Sequence, residues 1–381
     1  MQIGIDIRVL AKGARTGIEE YALNLLDSMV ALKPDARYKF FYNAFSKVPL
    51  EYPWLKAPNA ELREFRLPNR FVFDPFSYFF NFPKIDRLLG GIDVLFSPHF
   101  LISALSKTCP RTITFHDLSF WHYPNFFSPR KRWWHLSLGI KNQARAADKI
   151  IAVSNSTKQD LVNFWKINPE KIFVIHSGIA ENFKPRPQND PKLEHIKKKY
   201  NLPDNFIFYF GTIEPRKNII ALIKAFERCA GQFQNEDLRL VIAGRLGWLF
   251  KDIIKTARTS KFKEKIIFTG FIDDVDKPYI YNLAKIFVYP SFFEGFGFPP
   301  LEAMASGVPT ITSNASSLPE IVGDAGIMID PYKIDELAAA MEFVLSDAAL
   351  RRELVRKGLE RTKQFSWEKT ARETLRVLTN N

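Results

Sequence analysis

The chain has 381 residues, enough for two ordinary domains and too many for one compact core. Hydrophobic residues make up 46% and charged residues 25%, a globular balance that excludes wholesale disorder. The formal net charge of +13 points to anionic partners such as nucleotides, phospholipid surfaces or nucleic acid, and the two cysteines, Cys109 and Cys229, exclude a disulfide framework and fit no zinc spacing. A reducing compartment is expected.

Met1-Gln2-Ile3-Gly4-Ile5-Asp6 has no basic region followed by a long apolar run, so a first β-strand is expected there rather than a signal peptide. No stretch reaches the ~18 uninterrupted apolar residues of a transmembrane helix, and a soluble protein able to lie against a membrane is expected. Strands are expected over Ile3–Leu10, Tyr38–Tyr42, Val94–Ser97, Thr112–Phe115 and Ile150–Val153, with helices over Ile18–Leu32, Ser128–Ala147 and Ser156–Trp165. Gly13–Gly17 reads as a loop. Pro185, Pro187 and Pro191 break the pattern over residues 182–191, which read as a linker. The alternation restarts with strands over Phe206–Phe210, Leu238–Ala243, Ile266–Thr269, Ile286–Tyr289, Thr310–Thr312 and Gly326–Ile329. Helices fit Ile219–Ala230, Trp248–Thr259, Pro300–Ala305, Leu318–Ile321, Ile334–Leu345 and Ala348–Lys363. Such alternation implies parallel sheets covered on both faces, here in two α/β domains joined near residue 185. Ligands of these sheets sit outside the carboxyl ends of the strands, so the cleft between the domains is the expected active site.

Polar and glycine-rich stretches after strands therefore carry the chemistry. In Gly211-Thr-Ile-Glu-Pro-Arg-Lys-Asn218, Arg216 offers a planar fork and Lys217 a point charge, a pair suited to a diphosphate; solvated charges at a helix start fit as well. Ser291–Ala303 follows the strand Ile286–Tyr289. Gly295 and Gly297 let a ligand approach the backbone, and the amides leading into the helix near Pro300 favour an anion. Glu294 and Glu302 can accept hydrogen bonds from sugar hydroxyls; the alternative, a glycine turn and a surface helix, suits the strand–loop–helix order less. His116 ends a strand and could meet a ligand, oriented by Asp117, or serve structure alone. Gly17 brings amides near a phosphate or acceptor, or is an ordinary turn glycine.

Taken in order, Gly4-Ile5-Asp6 with Thr16-Gly17-Ile18, His116-Asp117, Val153-Ser154-Asn155-Ser156, Gly211–Asn218, Ala243-Gly244, Thr269-Gly270-Phe271 and the block Pro290–Pro309 resemble the retaining glycosyltransferases of the GT-B fold, family 4 (glycosyl transferases group 1), over nearly the whole chain. The Glu-x7-Glu pair enclosing Gly-Phe-Gly is the most specific anchor. The resemblance implies two Rossmann-like, doubly wound α/β domains facing across a cleft, with a C-terminal helix crossing back to the first. Residues 1–184 plus 365–381 would form the acceptor-side domain and residues 185–364 the nucleotide-sugar domain. Phe365-Ser366-Trp367-Glu368 followed by Thr370–Leu378 matches the crossing helix, with Ser366 as its N-cap.

By the same resemblance, Glu294 binds hydroxyls of the transferred sugar and Glu302 the nucleotide ribose. The backbone of Gly295, Phe296 and Gly297 contacts the sugar, and the amides just beyond contact the phosphate. Arg216 and Lys217 neutralise the diphosphate, Gly17 faces it, and His116 approaches the sugar near its exocyclic end. Many members carry Arg directly after the glycine of this stretch, where this chain has Thr212; Arg216 is expected to supply that cation. The implied reaction is retaining hexosyl transfer from a nucleotide sugar to an acceptor hydroxyl. Cations and helix-end amides would stabilise the leaving phosphate, with no metal and no cofactor beyond the donor. Domain closure would exclude water.

The stretch His116–Phe120, with Pro124 and Phe126-Phe127-Ser128, looks most like bacterial mannosyl- and rhamnosyltransferases of surface-polysaccharide assembly. GDP-mannose is the first expected donor, and UDP-glucose or UDP-N-acetylglucosamine the second. A glycan or lipid-linked glycan is the expected acceptor. Seven aromatics in the twelve residues Phe71–Phe82, and Arg130-Lys131-Arg132 beside Trp133 and Trp134, suit an anionic membrane surface; core packing and a solvated helix face are the plainer readings. Location in the cytoplasm, with peripheral contact at the inner face of the cell membrane, follows. Nucleic acid is not an expected partner, because the basic residues are dispersed and no recognised module appears. A sugar-nucleotide epimerase, a phosphorylase or a non-catalytic nucleotide-sugar-binding relative would share the architecture.

Overall fold

The computed structural model describes residues 1–12, 17–45, 49–232 and 237–379. Residues 13–16 of the expected Gly13–Gly17 loop lie outside them. The chain divides into two units. One comprises Met1–Leu118, Trp133–Gly178 and Ser366–Asn381, the other Ser119–Arg132 and Ile179–Phe365. Residues 119–132 and 179–184, expected with the first domain, thus pack with the second unit.

The first unit holds seven strands: β1 (Gln2–Asp6), β2 (Arg37–Asn43), β3 (Ala60–Phe65), β4 (Val94–Ser97), β5 (Arg111–Phe115), β6 (Lys149–Ala152) and β7 (Ile172–Val174). They form one sheet in the order 3-2-1-4-5-6-7, all pairings parallel. Sequence reading finds the five central strands and misses both edges. β3 is Ala-Glu-Leu-Arg-Glu-Phe with no fully buried residue, and charge along an edge discourages pairing with another chain. β7 has only three residues. The strand expected over Ile3–Leu10 stops at Asp6. There the carboxylate accepts from the Arg8 backbone N–H at 3.2 Å and from its guanidinium at 2.6 Å, which turns the chain into the 3-10 helix Arg8–Lys12. The single helix expected over Ser128–Ala147 is two, Pro129–Ser137 and Ile140–Ala146, because Gly139 between them takes φ 56°. The C-terminal helix Trp367–Thr379 does return to this unit. Ser366 Oγ accepts from Lys369 N at 3.1 Å as the expected cap, Thr370 donates to the His176 carbonyl at 2.8 Å, and Lys149 donates to that of Val377 at 2.9 Å.

The second unit holds β8 (Phe206–Phe210), β9 (Arg239–Ala243), β10 (Ile266–Gly270), β11 (Ile286–Tyr289), β12 (Thr310–Ser313) and β13 (Ile327–Ile329). Their order is 10-9-8-11-12-13, all parallel. β8 and β9 are near-continuous apolar runs, as expected of strands covered on both faces. Within the expected linker, Asp190 caps a helix over Pro191–Lys199 by accepting from Lys192 N at 2.9 Å. In this order the chain leaves β8 toward one edge and β11 toward the other, so the loops after these two neighbours part at their carboxyl ends.

Glycine is required where those ends crowd. Gly244, just after β9, has φ +137°, and a Cβ there would run into the Gly211 carbonyl. Its N–H donates to Gly270 O at 2.8 Å, and Gly211 N donates to Ala243 O at 3.0 Å, so the turn has no room to shift. Gly244→Ala should therefore lower the unfolding free energy by more than about 1 kcal/mol, read by urea denaturation.

Candidate active site

The loop after β8 carries Glu214, the 3-10 turn Pro215–Lys217, and Asn218 with φ 56°, from which the helix Ile219–Gln232 starts. The loop after β11 runs from Pro290 to Gly297. Asn218 Nδ2 ties the second loop to the first, donating to the Pro290 carbonyl at 3.1 Å and to that of Pro331 at 2.7 Å. Phe292 N adds a bond to Arg216 O at 2.9 Å. Glu294 itself is fixed from behind. Its N–H donates to Ser316 Oγ at 2.7 Å, and Ser317 Oγ lies 3.0 Å from its carbonyl and 2.7 Å from that of Phe296. Gly297 ends the loop at φ +115°, with Leu318 Cδ2 only 2.8 Å from where a Cβ would stand.

This lacing brings three of the expected site residues together. Glu294 Oε1 accepts from Lys217 Nζ at 2.7 Å, and Oε2 accepts from Arg216 Nη1 at 3.2 Å. Arg216 also donates to the Phe293 carbonyl at 2.7 Å and through Nε to Glu214 Oε1 at 3.0 Å, while Lys217 donates to Tyr289 Oη at 2.6 Å. Glu214, Lys217 and Glu294 are buried. Burial pushes the Glu294 carboxyl up, but Lys217 and then Arg216 outweigh it and hold the group down at about 2, so it stays ionised at neutral pH. Two carboxylates and two cations thus share one buried place, where each charge is sustained by its partners.

Glu302 lies elsewhere. It sits on the buried side of the helix Phe298–Ala305, where Oε2 accepts from Tyr281 Oη at 2.8 Å and Oε1 from Lys277 Nζ at 3.2 Å. Glycines 295 and 297 and Phe296 line the loop between the two glutamates and are buried. Pro299 and Pro300 open the helix and have no N–H, so among these residues the amides able to donate toward an anion end at Phe298.

His116 and Gly17 belong to the first unit. His116 follows β5. Its Nε2 lies 2.8 Å from the Pro98 carbonyl, which can only accept, so Nε2 carries the proton. The Tyr21 ring meets the imidazole edge-on at 4.8 Å, and burial lowers the His116 pKa, keeping the ring neutral at pH 7. Gly17 is the exposed first residue of the helix Gly17–Leu32.

Sequence reading misses several residues. Glu214 and Tyr289 hold the two cations that pair with Glu294, Lys277 and Tyr281 hold Glu302, and only Glu214 stands inside a motif. The Ser119–Arg132 segment is missed as part of the second unit. His122 stacks 4.7 Å from Phe293, Phe126 lies 5.5 Å from Phe292, and Phe127 lies 5.5 Å from Trp248.

Residues 15–183 match the family described as Glycosyltransferase Family 4, and residues 192–361 that described as Glycosyl transferases group 1. The chain is 33% identical over 263 residues to O-antigen chain mannosyltransferase B of Escherichia coli, a match covering 69% of this chain and 68% of the relative. It is 38% identical over 227 residues to the serotype-specific mannosyltransferase WbdA of Escherichia coli, a match covering 59% of this chain and only 28% of that longer protein. The structure of sucrose-phosphate synthase from Thermosynechococcus elongatus aligns with a TM-score of 0.77 at 21% identity over 99% of this chain and 98% of that one, and its fold is GT-B. With both halves matched and the parallel sheets in place, the chain belongs to the family 4, group 1 glycosyltransferases of the GT-B fold.

Proposed function

We propose that this glycosyltransferase moves a mannosyl residue from GDP-mannose to a hydroxyl of a glycan or lipid-linked glycan, retaining the anomeric configuration, in the assembly of a bacterial surface polysaccharide. The observation that carries the reading is the meeting of Arg216, Lys217 and Glu294 where the loops after β8 and β11 part. A diphosphate needs cations, a hexose needs an ionised carboxylate, and this place holds both. The choice of mannose rests on the two Escherichia coli relatives, each named as a mannosyltransferase.

Negative charge builds on the departing phosphate as the glycosidic bond breaks. Arg216 and Lys217 meet it, each such donor contributing about 3 kcal/mol, and the prolines at the helix start leave the cations most of this work. We place no metal in the reaction and no covalent nucleophile at Glu294; the leaving phosphate takes the acceptor proton. Glu294 grips sugar hydroxyls, the loop amides of Gly295, Phe296 and Gly297 pack against the sugar, and Glu302 grips the ribose. His116, neutral, offers its imidazole to the sugar, and Gly17 its amide to the diphosphate.

Contact with the inner face of the cell membrane is assigned to the helix Asp74–Phe80. Phe79, Phe80 and Phe82 are 74%, 70% and 62% exposed, and Phe76 and Tyr78 about half. Arg66, Arg87 and Lys107 stand exposed in the neighbouring sequence, a composition that suits anionic lipid. Two of the other three cations are engaged within the second unit. Arg132 donates to Asn125 Oδ1 at 2.9 Å, and Lys131 Nζ lies 3.2 Å over the Trp248 ring. Among the described residues, no helix is long and apolar enough to cross a membrane.

Incubation with GDP-mannose, UDP-glucose and UDP-N-acetylglucosamine tests the reading. GDP-mannose should be consumed at a rate EDTA does not change, and NMR of the product should show the donor's anomeric configuration. Consumption of a UDP-sugar alone would overturn the mannosyl assignment. In calorimetry, Lys217→Ala should weaken binding of the intact nucleotide sugar by ~1.5–3 kcal/mol, the range for hydrogen bonds to charged groups. Replacing Phe79 and Phe80 with Ser should reduce sedimentation with anionic vesicles and leave donor hydrolysis unchanged. Wild-type protein that ignores such vesicles at low salt would remove the membrane from the account.

A further inference from the structure

The charges of Glu214, Arg216, Lys217 and Glu294 cancel one another. A nucleoside diphosphate brings at least two negative charges to a place with no net positive charge. For its phosphates to gain Arg216 and Lys217, a carboxylate must give them up. Glu214 is 1% exposed and pairs with Arg216 alone in this cluster. Glu294 holds both cations, one on each oxygen.

Once it yields them, Glu294 is a buried, ionised carboxylate without a cation, which is a costly state. Burial pushes a carboxyl that has lost its cations up toward protonation, and taking up that proton at neutral pH is itself a cost that the free diphosphate must bear. The hydroxyls of an intact nucleotide sugar can donate to the freed oxygens. A free nucleoside diphosphate has nothing to place there. Lys217 is not set loose by the exchange, because Tyr289 Oη holds its ammonium at 2.6 Å.

We infer that Glu294 is a specificity determinant that releases Arg216 and Lys217 only to a ligand bringing sugar hydroxyls, so the site selects intact donor over free nucleoside diphosphate and expels that product after transfer. The inference rests on the roles proposed above for Glu294, Arg216 and Lys217. It adds that the sugar and diphosphate subsites compete for the same cations.

Calorimetry with GDP and GDP-mannose, and with UDP and UDP-glucose, on wild type, Glu294→Gln and Glu214→Gln tests it. Glu294→Gln should tighten the free diphosphate by about tenfold or more, the scale of a charged hydrogen bond, and should improve the intact donor far less. Glu214→Gln, which touches no sugar in the proposed roles, should shift both ligands by the same factor. Glu294→Ser removes the same charge and is read the same way if the Gln variant does not fold. An unchanged or weaker diphosphate affinity in the Glu294 variant, or an equal shift of both ligands, would overturn the exchange while the proposed function stands. Wild-type protein that binds none of the four ligands would overturn both.

Discussion

A single carboxylate shared between two cations is the interaction on which the second unit's active-site geometry turns. Glu294 can hold Arg216 and Lys217 only because β8 and β11 are neighbours, although they are far apart in the chain. The sheet order sets that adjacency, and Asn218 then fastens the two loops through carbonyls on either side of the site. Ser316 and Ser317, from the segment after β12, fix the Glu294 backbone. The crowded Gly211–Gly244 crossing leaves the first loop one path out of the sheet. Each element is modest alone. Together they bury Glu214, Lys217 and Glu294 and leave Arg216 13% exposed, charges that a less rigid frame would leave to water.

The second glutamate follows the same logic with different partners. Glu302 is held by a buried ammonium and a phenol, both on the helix Lys277–Leu283. Lys277 also lies 3.7 Å from Asp274, and the Glu302 carboxylate is oriented rather than free to turn. The contrast with Glu294 lies in what competes. In the proposed exchange Arg216 and Lys217 have the diphosphate as a rival claimant, whereas Lys277 sits against Glu302, Asp274 and the Phe183 and Phe210 rings. In the first unit, His116 is neutral. A protonated imidazole would add a charge to a buried place in the first unit, where the Tyr21 ring and the Pro98 carbonyl already define its orientation.

The surface divides its excess charge in a way composition cannot show. Of the basic run beside the two tryptophans, Lys131 and Arg132 serve the second unit, and Arg132 braces the turn at Asn125 and Phe127. The apolar face left to solvent lies instead on the helix Asp74–Phe80. Of the aromatic stretch, Phe73 is core, buried against Phe41 and the Arg8 guanidinium. The five aromatics from Phe76 on are exposed.

From the sequence alone, the fold class, the central strands and the family were legible, and the candidate site residues could be nominated, because each leaves a local mark. Apolar runs mark the strands, Gly-Phe-Gly between two glutamates marks a ligand loop, and Ser366 before Trp367 marks a cap. Edge strands β3 and β7 left no such mark, since half-solvated or very short pairings carry little apolar signal. Nor did Tyr289, Lys277 or Tyr281, whose roles come from distances between elements remote in sequence. Sequence could name Glu294, Arg216 and Lys217 as ligand groups. Only the tertiary structure decided that they first bind one another, because charge compensation in a buried place depends on which oxygen faces which nitrogen, and the β8–β11 pairing sets that.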